Sequence, residues 1–352
     1  MPHMKNIQAA MAEAGLEALL LTDPVCCRYA TGFSFTDGAV LVRREDAFLI
    51  TDARYTEAAE KEARDVTVLE YSGKRSPYVL VTELCQGLSA IGAEEERMSV
   101  AEWRGWAEKL GSLQEASGIL KGLRQSKDSF ERESLIAAQR IAERALNHVL
   151  GMLRPGLTEK EVAAELTYRM LLYGGEEMSF DPIVVTGAKT SLPHGVPGDR
   201  VIRAGDFVTM DFGTKKNGYC SDMTRTVAIG SATDEMRRVY ETVLEAQLAG
   251  IAAARAGVRG CDIDGAARAV IAAAGYGDFF GHGFGHSLGL EIHEPPNANP
   301  RNKRPMPAGA VISAEPGIYL PGRFGGRIED GLILGENGCE NITKAPKELL
   351  IL

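Results

Sequence analysis

The chain has 352 residues, of which 45% are hydrophobic and 25% charged, a composition that excludes a disordered tail, a collagen-like fibre and a small disulfide-held protein. The 48 acidic residues outnumber the 39 basic ones, and the net charge of −9 argues against nucleic acid as a partner. No apolar run approaches the 18 or so residues of a membrane span, so we expect no membrane partner and about two globular domains.

The six cysteines are scattered along the chain and none forms a C-x-x-C pair. This pattern is typical of proteins in a reducing compartment. The N-terminus lacks the apolar core of a secretory signal. We therefore expect a cytoplasmic protein.

The first part of the chain alternates helical and extended patterns. The elements predicted from apolar spacing are a helix over 7–17, strands at 18–21, 39–42 and 47–50, a helix over 52–63 and a strand at 66–70. Trp103 and Trp106 are expected in the core, and the segment shows no clustered chemistry. We predict an α/β domain over 1–121, a linker over 122–128 and a second domain over 129–352.

The second domain is predicted to contain an internal duplication. Two capping boxes, Asp128-x-x-Glu131 and Thr158-x-x-Glu161, each open a helix, and two apolar strands follow. The same order recurs, since residues 145–162 resemble residues 246–263. The duplication gives each half two acidic residues at equivalent points: Asp211 and Asp222 in the first half, and Glu315 and Glu329 in the second.

The first acidic pair belongs to a predicted hairpin whose register can be worked out. The two-residue turn Asn217-Gly218 places Asp211 opposite Thr224, so Asp211 and Asp222 become diagonal neighbours on one face. Two such carboxylates repel unless they share a proton or a cation. The alternative, that one of them points into solvent, is disfavoured by the apolar residues around Asp211. The second hairpin has a longer loop, over 321–325, which leaves its register open.

Three of the six histidines, His282, His286 and His293, fall within twelve residues, and His194 is a fourth candidate. Four glycines over 281–289 favour a loop or strand rather than a helix, and they let the backbone approach a ligand closely. The spacing does not match a dinucleotide-binding fingerprint. His3 and His148 are expected at the surface.

Oxygen donors combined with an imidazole suit Mn²⁺, Fe²⁺, Co²⁺ or Zn²⁺. Four carboxylates balance the charge of two divalent ions, so we predict a two-metal site of the kind that holds a hydrolytic water.

Asp211, Asp222, His286, Glu315 and Glu329 resemble, in order and spacing, the five metal ligands of the pita-bread metallopeptidases. The strings G-L-E-I-H-E-P-P and G-x-R-I-E-D resemble the proline-directed branch, which includes aminopeptidase P and prolidase. Residues 1–121 resemble a creatinase-type N-terminal domain. The resemblance implies an α/β (α+β) protein with a creatinase-like domain followed by a pita-bread domain with pseudo-twofold duplication.

The resemblance also implies roles for the metal site. Asp211 would hold one ion, Asp222 and Glu329 would bridge two, and His286 and Glu315 would complete the second. Mn²⁺ is the expected ion, with Co²⁺, Zn²⁺ or Fe²⁺ as alternatives.

Five residues are implied in catalysis, among them Glu315, which also holds metal. His293 would donate a hydrogen bond to the tetrahedral intermediate, and His282 would contact the substrate near the scissile bond. His194 would line the proline-side pocket. Arg327 would orient a bridging carboxylate.

The leading functional expectation is an aminopeptidase that releases the residue before proline from proline-containing peptides. The alternative is an Xaa-Pro dipeptidase, which must bind the free carboxylate of proline, with Arg323 as a candidate cation. More remote alternatives are a non-catalytic binding protein and a metal-free hydrolase like creatinase. A homodimer is expected, with the N-terminal domain serving in dimerisation and in limiting substrate length.

Overall fold

The computed structural model describes residues 3–352, and the chain divides into a compact unit that ends at Arg124 and a second unit from Gln125 to Leu352. Both units mix helices and strands, which confirms the predicted α/β fold class. Within residues 3–352, no helix combines the length and the apolar character that a bilayer span requires.

The first unit is built on one six-stranded mixed sheet. Its strands are β1 (Ala18–Leu21), β2 (Gly38–Arg43), β3 (Ala47–Thr51), β4 (Thr67–Glu70), β5 (Ile91–Ala93) and β6 (Leu113–Glu115). Its helices are α1 (Met4–Glu13), α2 (Pro24–Thr31), α3 (Thr56–Glu62), α4 (Pro77–Leu84), α5 (Val100–Leu110) and α6 (Ser117–Leu123). The strand order is β4-β3-β2-β1-β5-β6, in which β1, β2 and β3 are antiparallel and the outer pairings are parallel.

Several local predictions for this unit are confirmed and others are wrong. Strand β1 and the β2–β3 hairpin lie where the apolar pattern places them, and Trp106 is buried. Helix α2 was not predicted, although Asp23 caps it and Pro24 opens it. The surface placement of His3 is wrong: the side chain is 6% exposed because its ring stacks on Tyr29 at 4.0 Å between centroids.

The second unit repeats one arrangement of two helices followed by paired strands. Its helices are α7 (Ser129–Met152), α8 (Glu159–Leu172), α9 (Asp234–Ala253) and α10 (Gly260–Ala273). Its strands are β7 (Ile183–Thr186), β8 (Phe207–Phe212), β9 (Lys215–Lys216), β10 (Tyr219–Cys220), β11 (Met223–Ala228), β12 (Gly285–Ser287), β13 (Glu294–Ala298), β14 (Val311–Ala314), β15 (Gly317–Leu320), β16 (Phe324–Arg327), β17 (Asp330–Leu334) and β18 (Cys339–Asn341).

The duplication is visible in the element order. Helices α7 and α8 precede the sheet β11-β8-β7, and helices α9 and α10 precede the sheet β13-β12-β14-β17-β18. Both predicted capping boxes form, with Asp128 opening α7 and Thr158 opening α8. His148 on α7 is partly exposed and lies 3.1 Å from Glu165.

Strand β8 has one apolar face and one polar face, as its alternation requires. Val208, Met210 and Phe212 are buried in the core that α7 and α8 cover. Burying an apolar side chain of this kind contributes about 1.5–3 kcal/mol relative to leaving it exposed. The opposite face of the strand carries Thr209 and Asp211.

The second half packs in the same way. The core under α9 and α10 includes Ile312 and Ala314 of β14 together with Leu332 and Leu334 of β17. At Gly250 of α9, an added Cβ would lie 2.2 Å from the ring of Phe284, so only glycine permits this contact. The close packing fixes the segment that carries His282 and His286 against α9.

Candidate active site

The first acidic pair is held by the β8–β11 hairpin. Asn217 and Gly218 both have positive φ, 50° and 80°, which is typical of the tight turn that matches the twist of a hairpin. The observed pairing sets Asp211 opposite Thr224, as the two-residue turn predicts. Asp222 directly precedes β11, and both aspartates are buried, at 7% and 4% exposure.

The second acidic pair lies at the ends of β14 and β17. The pairing of Ala314 with Asp330 brings Glu315 and Glu329 together at the same end of these strands. The backbone N–H of Glu329 donates to the Thr224 carbonyl at 3.1 Å, which joins the second hairpin to the first. All four carboxylates therefore surround one volume.

His286 of β12 completes this group. Its Nε2 lies 3.5 Å from Asp222 Oδ2 and 3.4 Å from Glu315 Oε1. Gly285 lets β12 approach β14, because an added Cβ there would lie 1.9 Å from the Ser313 carbonyl oxygen. The Ser313 hydroxyl accepts from the His286 N–H at 3.0 Å and donates to Glu315 Oε1 at 3.2 Å.

The group opens into a cavity of about 600 Å³. Every residue predicted for catalysis or metal binding lines it: His194, Asp211, Asp222, His282, His286, His293, Glu315, Arg327 and Glu329. His194 and His293 are exposed, whereas Asp211, Asp222 and Glu329 are buried and Glu315 is half-buried. The volume falls within the range of small-ligand sites, about 300–1,000 Å³.

The electrostatics of the carboxylates are unfavourable without a cation. Burial, reinforced by Glu329, Asp211 and Glu315, raises the pKa of Asp222 well above its ordinary value. Burial and the same crowding raise the pKa of Glu329 well above its usual range, and burial raises the pKa of Glu315. Burial lowers the pKa of His286, which favours the neutral ring that ligates metals.

Two buried oxygens, Asp211 Oδ1 and Glu329 Oε1, have no hydrogen-bond partner among residues 3–352. Leaving a buried acceptor unsatisfied costs about 1–3 kcal/mol, and more when the group is charged. A cation in the cavity would satisfy both oxygens. Four carboxylates and one imidazole form a donor set that fits Mn²⁺, Fe²⁺, Co²⁺ or Zn²⁺.

Arg327 lines the cavity, carries a guanidinium that stays positively charged, and is 4% exposed. Its guanidinium forms an ion pair with Asp211 and donates to Thr224 Oγ1 and the Tyr319 hydroxyl, both at 2.9 Å. Burial lowers its pKa, but neighbouring Tyr319 and Asp211 outweigh that effect and leave the pKa well raised.

The direct carboxylate partner of Arg327 therefore differs from the predicted one. Arg327 reaches the predicted bridging residue Glu329 only through Thr224, whose hydroxyl donates to Glu329 Oε2 at 2.7 Å. The reason is geometric: Asp211 and Thr224 are cross-strand partners, so one planar guanidinium can contact both.

Sequence reasoning missed Tyr319 and misplaced Arg323. The Tyr319 hydroxyl lies 2.9 Å from His282 Nε2, and burial raises the pKa of this tyrosine to about 12. Nothing in the sequence pattern around Tyr319 signals this contact, since the two residues are 37 positions apart in the chain. Arg323 is 55% exposed, pairs with Glu235 and does not line the cavity.

A buried carboxylate cluster with one imidazole, set between duplicated hairpins, has the donor groups of a divalent-metal site. The sequence model of metallopeptidase family M24 matches residues 133–336, and that of the creatinase/prolidase N-terminal domain matches residues 3–126. The chain belongs to metallopeptidase family M24.

Three relatives illustrate the similarity. The Xaa-Pro dipeptidase of Pyrococcus furiosus is 35% identical over 99% of both chains. The solved structure of the Xaa-Pro dipeptidase from Bacillus anthracis is 40% identical, covers 99% of both chains and superposes with a TM-score of 0.95. The solved X-Pro aminopeptidase from Thermotoga maritima is 37% identical over 98% of this chain and 100% of its own, with a TM-score of 0.93.

Proposed function

We propose that the protein is an Xaa-Pro dipeptidase, which hydrolyses the bond between the first residue and the proline of a dipeptide. The observation that carries this proposal is its similarity over nearly its full length to two proteins named Xaa-Pro dipeptidases. The sequence alone favoured an aminopeptidase, and the comparisons support the dipeptidase alternative better. An X-Pro aminopeptidase is the second candidate, because the chain is also similar to the X-Pro aminopeptidase of Thermotoga maritima.

The proposed cofactor is a pair of divalent ions, with Mn²⁺ expected and Co²⁺, Zn²⁺ or Fe²⁺ as alternatives. Asp211 would hold one ion, Asp222 and Glu329 would be shared, and His286 and Glu315 would hold the other. The unsatisfied Asp211 and Glu329 oxygens and the raised pKa values of the carboxylates support this assignment. Bound there, the ions would supply a Lewis acid and an activated water for peptide hydrolysis.

His293 is the proposed hydrogen-bond donor to the carbonyl oxygen of the scissile bond. Its ring packs edge-on against the His286 ring at 4.3 Å between centroids. His293 lines the cavity and is exposed there, so its ring can present an N–H to the substrate. A donor aimed at the oxygen where negative charge develops stabilises the transition state.

His282 has a different environment, since both of its ring nitrogens are occupied. Burial lowers its pKa, and a neutral ring carries one N–H. Nδ1 lies 2.9 Å from the Gly283 carbonyl, which can only accept, so the proton belongs on Nδ1. Nε2 then accepts from the Tyr319 hydroxyl, and the ring itself is left to contact the substrate near the scissile bond.

The proline end of the substrate imposes its own requirements. An X-Pro bond has no N–H on the proline side, so recognition depends on the fit of the ring and on the free carboxylate. Arg323 lies elsewhere and Arg327 is bound to Asp211. We infer that His194, exposed to the cavity, meets the proline end.

The deciding experiment compares an X-Pro dipeptide with the matching X-Pro-Y tripeptide, with added Mn²⁺ and with chelator. Metal-dependent cleavage of the dipeptide alone supports the dipeptidase. Cleavage of the tripeptide at the X-Pro bond assigns the aminopeptidase instead. An X-Ala dipeptide is the matched control, and equal cleavage of it would refute the proline requirement.

Three further assignments accompany this proposal. All six cysteines are unpaired, which supports a reducing compartment such as the cytoplasm. The domain division at 121 and 129 and the homodimer stay predictions. Gel filtration with light scattering would measure the oligomeric state directly.

A further inference from the structure

A buried ion pair lies behind the two histidines of the β12–β13 segment, and the proposed chemistry does not use it. Lys127 Nζ lies 2.8 Å from Glu294 Oε1 and 3.1 Å from Ser287 Oγ. The two charged side chains are only 1% and 3% exposed. Burying both charges is unfavourable unless the pair is well formed, so its position calls for an explanation.

The two partners of Lys127 each follow a site histidine. Ser287 comes directly after His286, and Glu294 comes directly after His293. Ser287 and Glu294 are also cross-strand partners in the pairing of β12 with β13. One ammonium group therefore fixes the spacing of the two chain positions that carry these histidines.

Lys127 itself is anchored from both sides. Its backbone N–H donates to the Gly309 carbonyl at 3.0 Å, and its carbonyl accepts from Arg132 Nε at 2.9 Å. It stands one residue before Asp128, the residue that caps α7. The ammonium group is thus presented from the rigid start of a 24-residue helix.

The far side of the ion pair is equally confined. An added Cβ on Gly289 would lie 2.2 Å from Glu294 Oε1, so the carboxylate fits between Lys127 and the backbone at Gly289. The Ser287 hydroxyl donates to the Val311 carbonyl at 2.7 Å, which leaves its oxygen to accept from Lys127. A shift of Ser287 would break its hydrogen bond to Val311, and the backbone at Gly289 limits the room for a shift of Glu294.

We propose that Lys127 is a positioning residue for the proposed hydrolysis: through Ser287 and Glu294 it sets the placement of His293 relative to His286. The proposal rests on the proposed function for its kinetic consequence, although the geometry can be tested without turnover. A misplacement of about 1 Å in a reacting arrangement can cost about 100-fold in rate. Lys127 thus has two effects that can be measured separately, one on the stability of the fold and one on the placement of His293.

The test uses Lys127→Met, the double variant Lys127→Met/Glu294→Met and the exposed control Lys160→Met in the full chain. Lys127→Met is expected to lower kcat on an X-Pro dipeptide by about 100-fold, with KM within about threefold of the wild type. The double variant removes the unpaired charge, so its urea midpoint is expected to recover while kcat stays low. Lys160 pairs with Asp199 at the surface, so Lys160→Met is expected to leave kcat unchanged.

Recovery of both stability and kcat in the double variant would overturn the proposal, because the pair would then serve stability alone. A kcat for Lys127→Met within threefold of the wild type would also overturn it.

A second measurement tests the positioning role of Lys127 without turnover. If no X-Pro peptide is cleaved, the proposed function is refuted, but this measurement still decides whether Lys127 positions His293. Imidazole ¹⁵N NMR in chelator, which removes paramagnetic Mn²⁺, is expected to show shifted His286 and His293 signals in the double variant and an unshifted His148 signal. Unshifted His286 and His293 signals would refute the positioning role.

Discussion

A substitution of Arg327 tests whether its positive charge compensates the buried carboxylate of Asp211. Replacing it with methionine keeps most of the side-chain volume but removes the ion pair with Asp211 and the hydrogen bonds to Thr224 and Tyr319. Asp211 Oδ1 already lacks a hydrogen-bond partner among residues 3–352. The substitution also removes Arg327, the partner of Asp211 Oδ2. The variant would place an uncompensated carboxylate beside three others.

The expected loss of stability depends on metal. Removing one member of a buried ion pair typically costs about 3–5 kcal/mol, because the remaining charge stays buried. We expect a loss of this size for Arg327→Met in chelator. With saturating Mn²⁺ the cation compensates Asp211, so the loss is expected to be smaller and to come from the two hydrogen bonds that the guanidinium donates to the Thr224 and Tyr319 hydroxyls.

Urea denaturation followed by circular dichroism, with chelator and with Mn²⁺, measures both values. Arg327→Lys is the matched control, since it keeps the charge near Asp211 but lacks the planar fork that reaches Thr224 and Tyr319. Its loss in chelator is expected to be intermediate. A loss below about 1 kcal/mol for Arg327→Met in chelator, or an equal loss with and without metal, would contradict the role of Arg327 as the charge partner of Asp211.

Three further outcomes are expected. Asp222→Ala should abolish both metal binding in equilibrium dialysis and hydrolysis, since this carboxylate is assigned to both ions; retained activity would refute the assignment. His293→Ala should lower turnover while sparing metal binding, and loss of metal would mean that the residue is a ligand. Glu94→Gln in the first unit tests a pH effect. Burial raises the pKa of Glu94, so the stability that this group contributes is greatest below the ordinary value of 4.5 and is lost as the pH rises through the folded-state pKa. As the pH rises above 4.5, the urea midpoint of the glutamine variant should therefore fall less than that of the wild type. Parallel plots of urea midpoint against pH for the two proteins would contradict this.

The first hairpin shows how far local sequence rules reach. A two-residue turn at Asn217-Gly218 leaves one register, and the pairing of Asp211 with Thr224 follows by counting. The second hairpin could not be solved in this way. Pro316 interrupts the strand after Glu315, and β15 and β16 form a separate two-stranded sheet before β17 begins.

Several contacts that the sequence does not indicate join segments far apart in sequence. Tyr319 meets His282 within the second half of the second unit, 37 residues away, and Arg327 meets Asp211 across the two halves, 116 residues away. Lys127 and Glu294 are 167 residues apart. Spacing rules predict which side chains share a face, whereas these partners are set by tertiary packing.

Five side chains from both halves of the duplicated unit are proposed to hold a catalytic pair of divalent ions. Metal content after equilibrium dialysis against Mn²⁺, measured together with X-Pro dipeptide hydrolysis on the same samples, tests this proposal. We expect two ions per chain, with activity rising as they bind and lost on chelation. Full hydrolysis by chelated protein with no bound ion would contradict it.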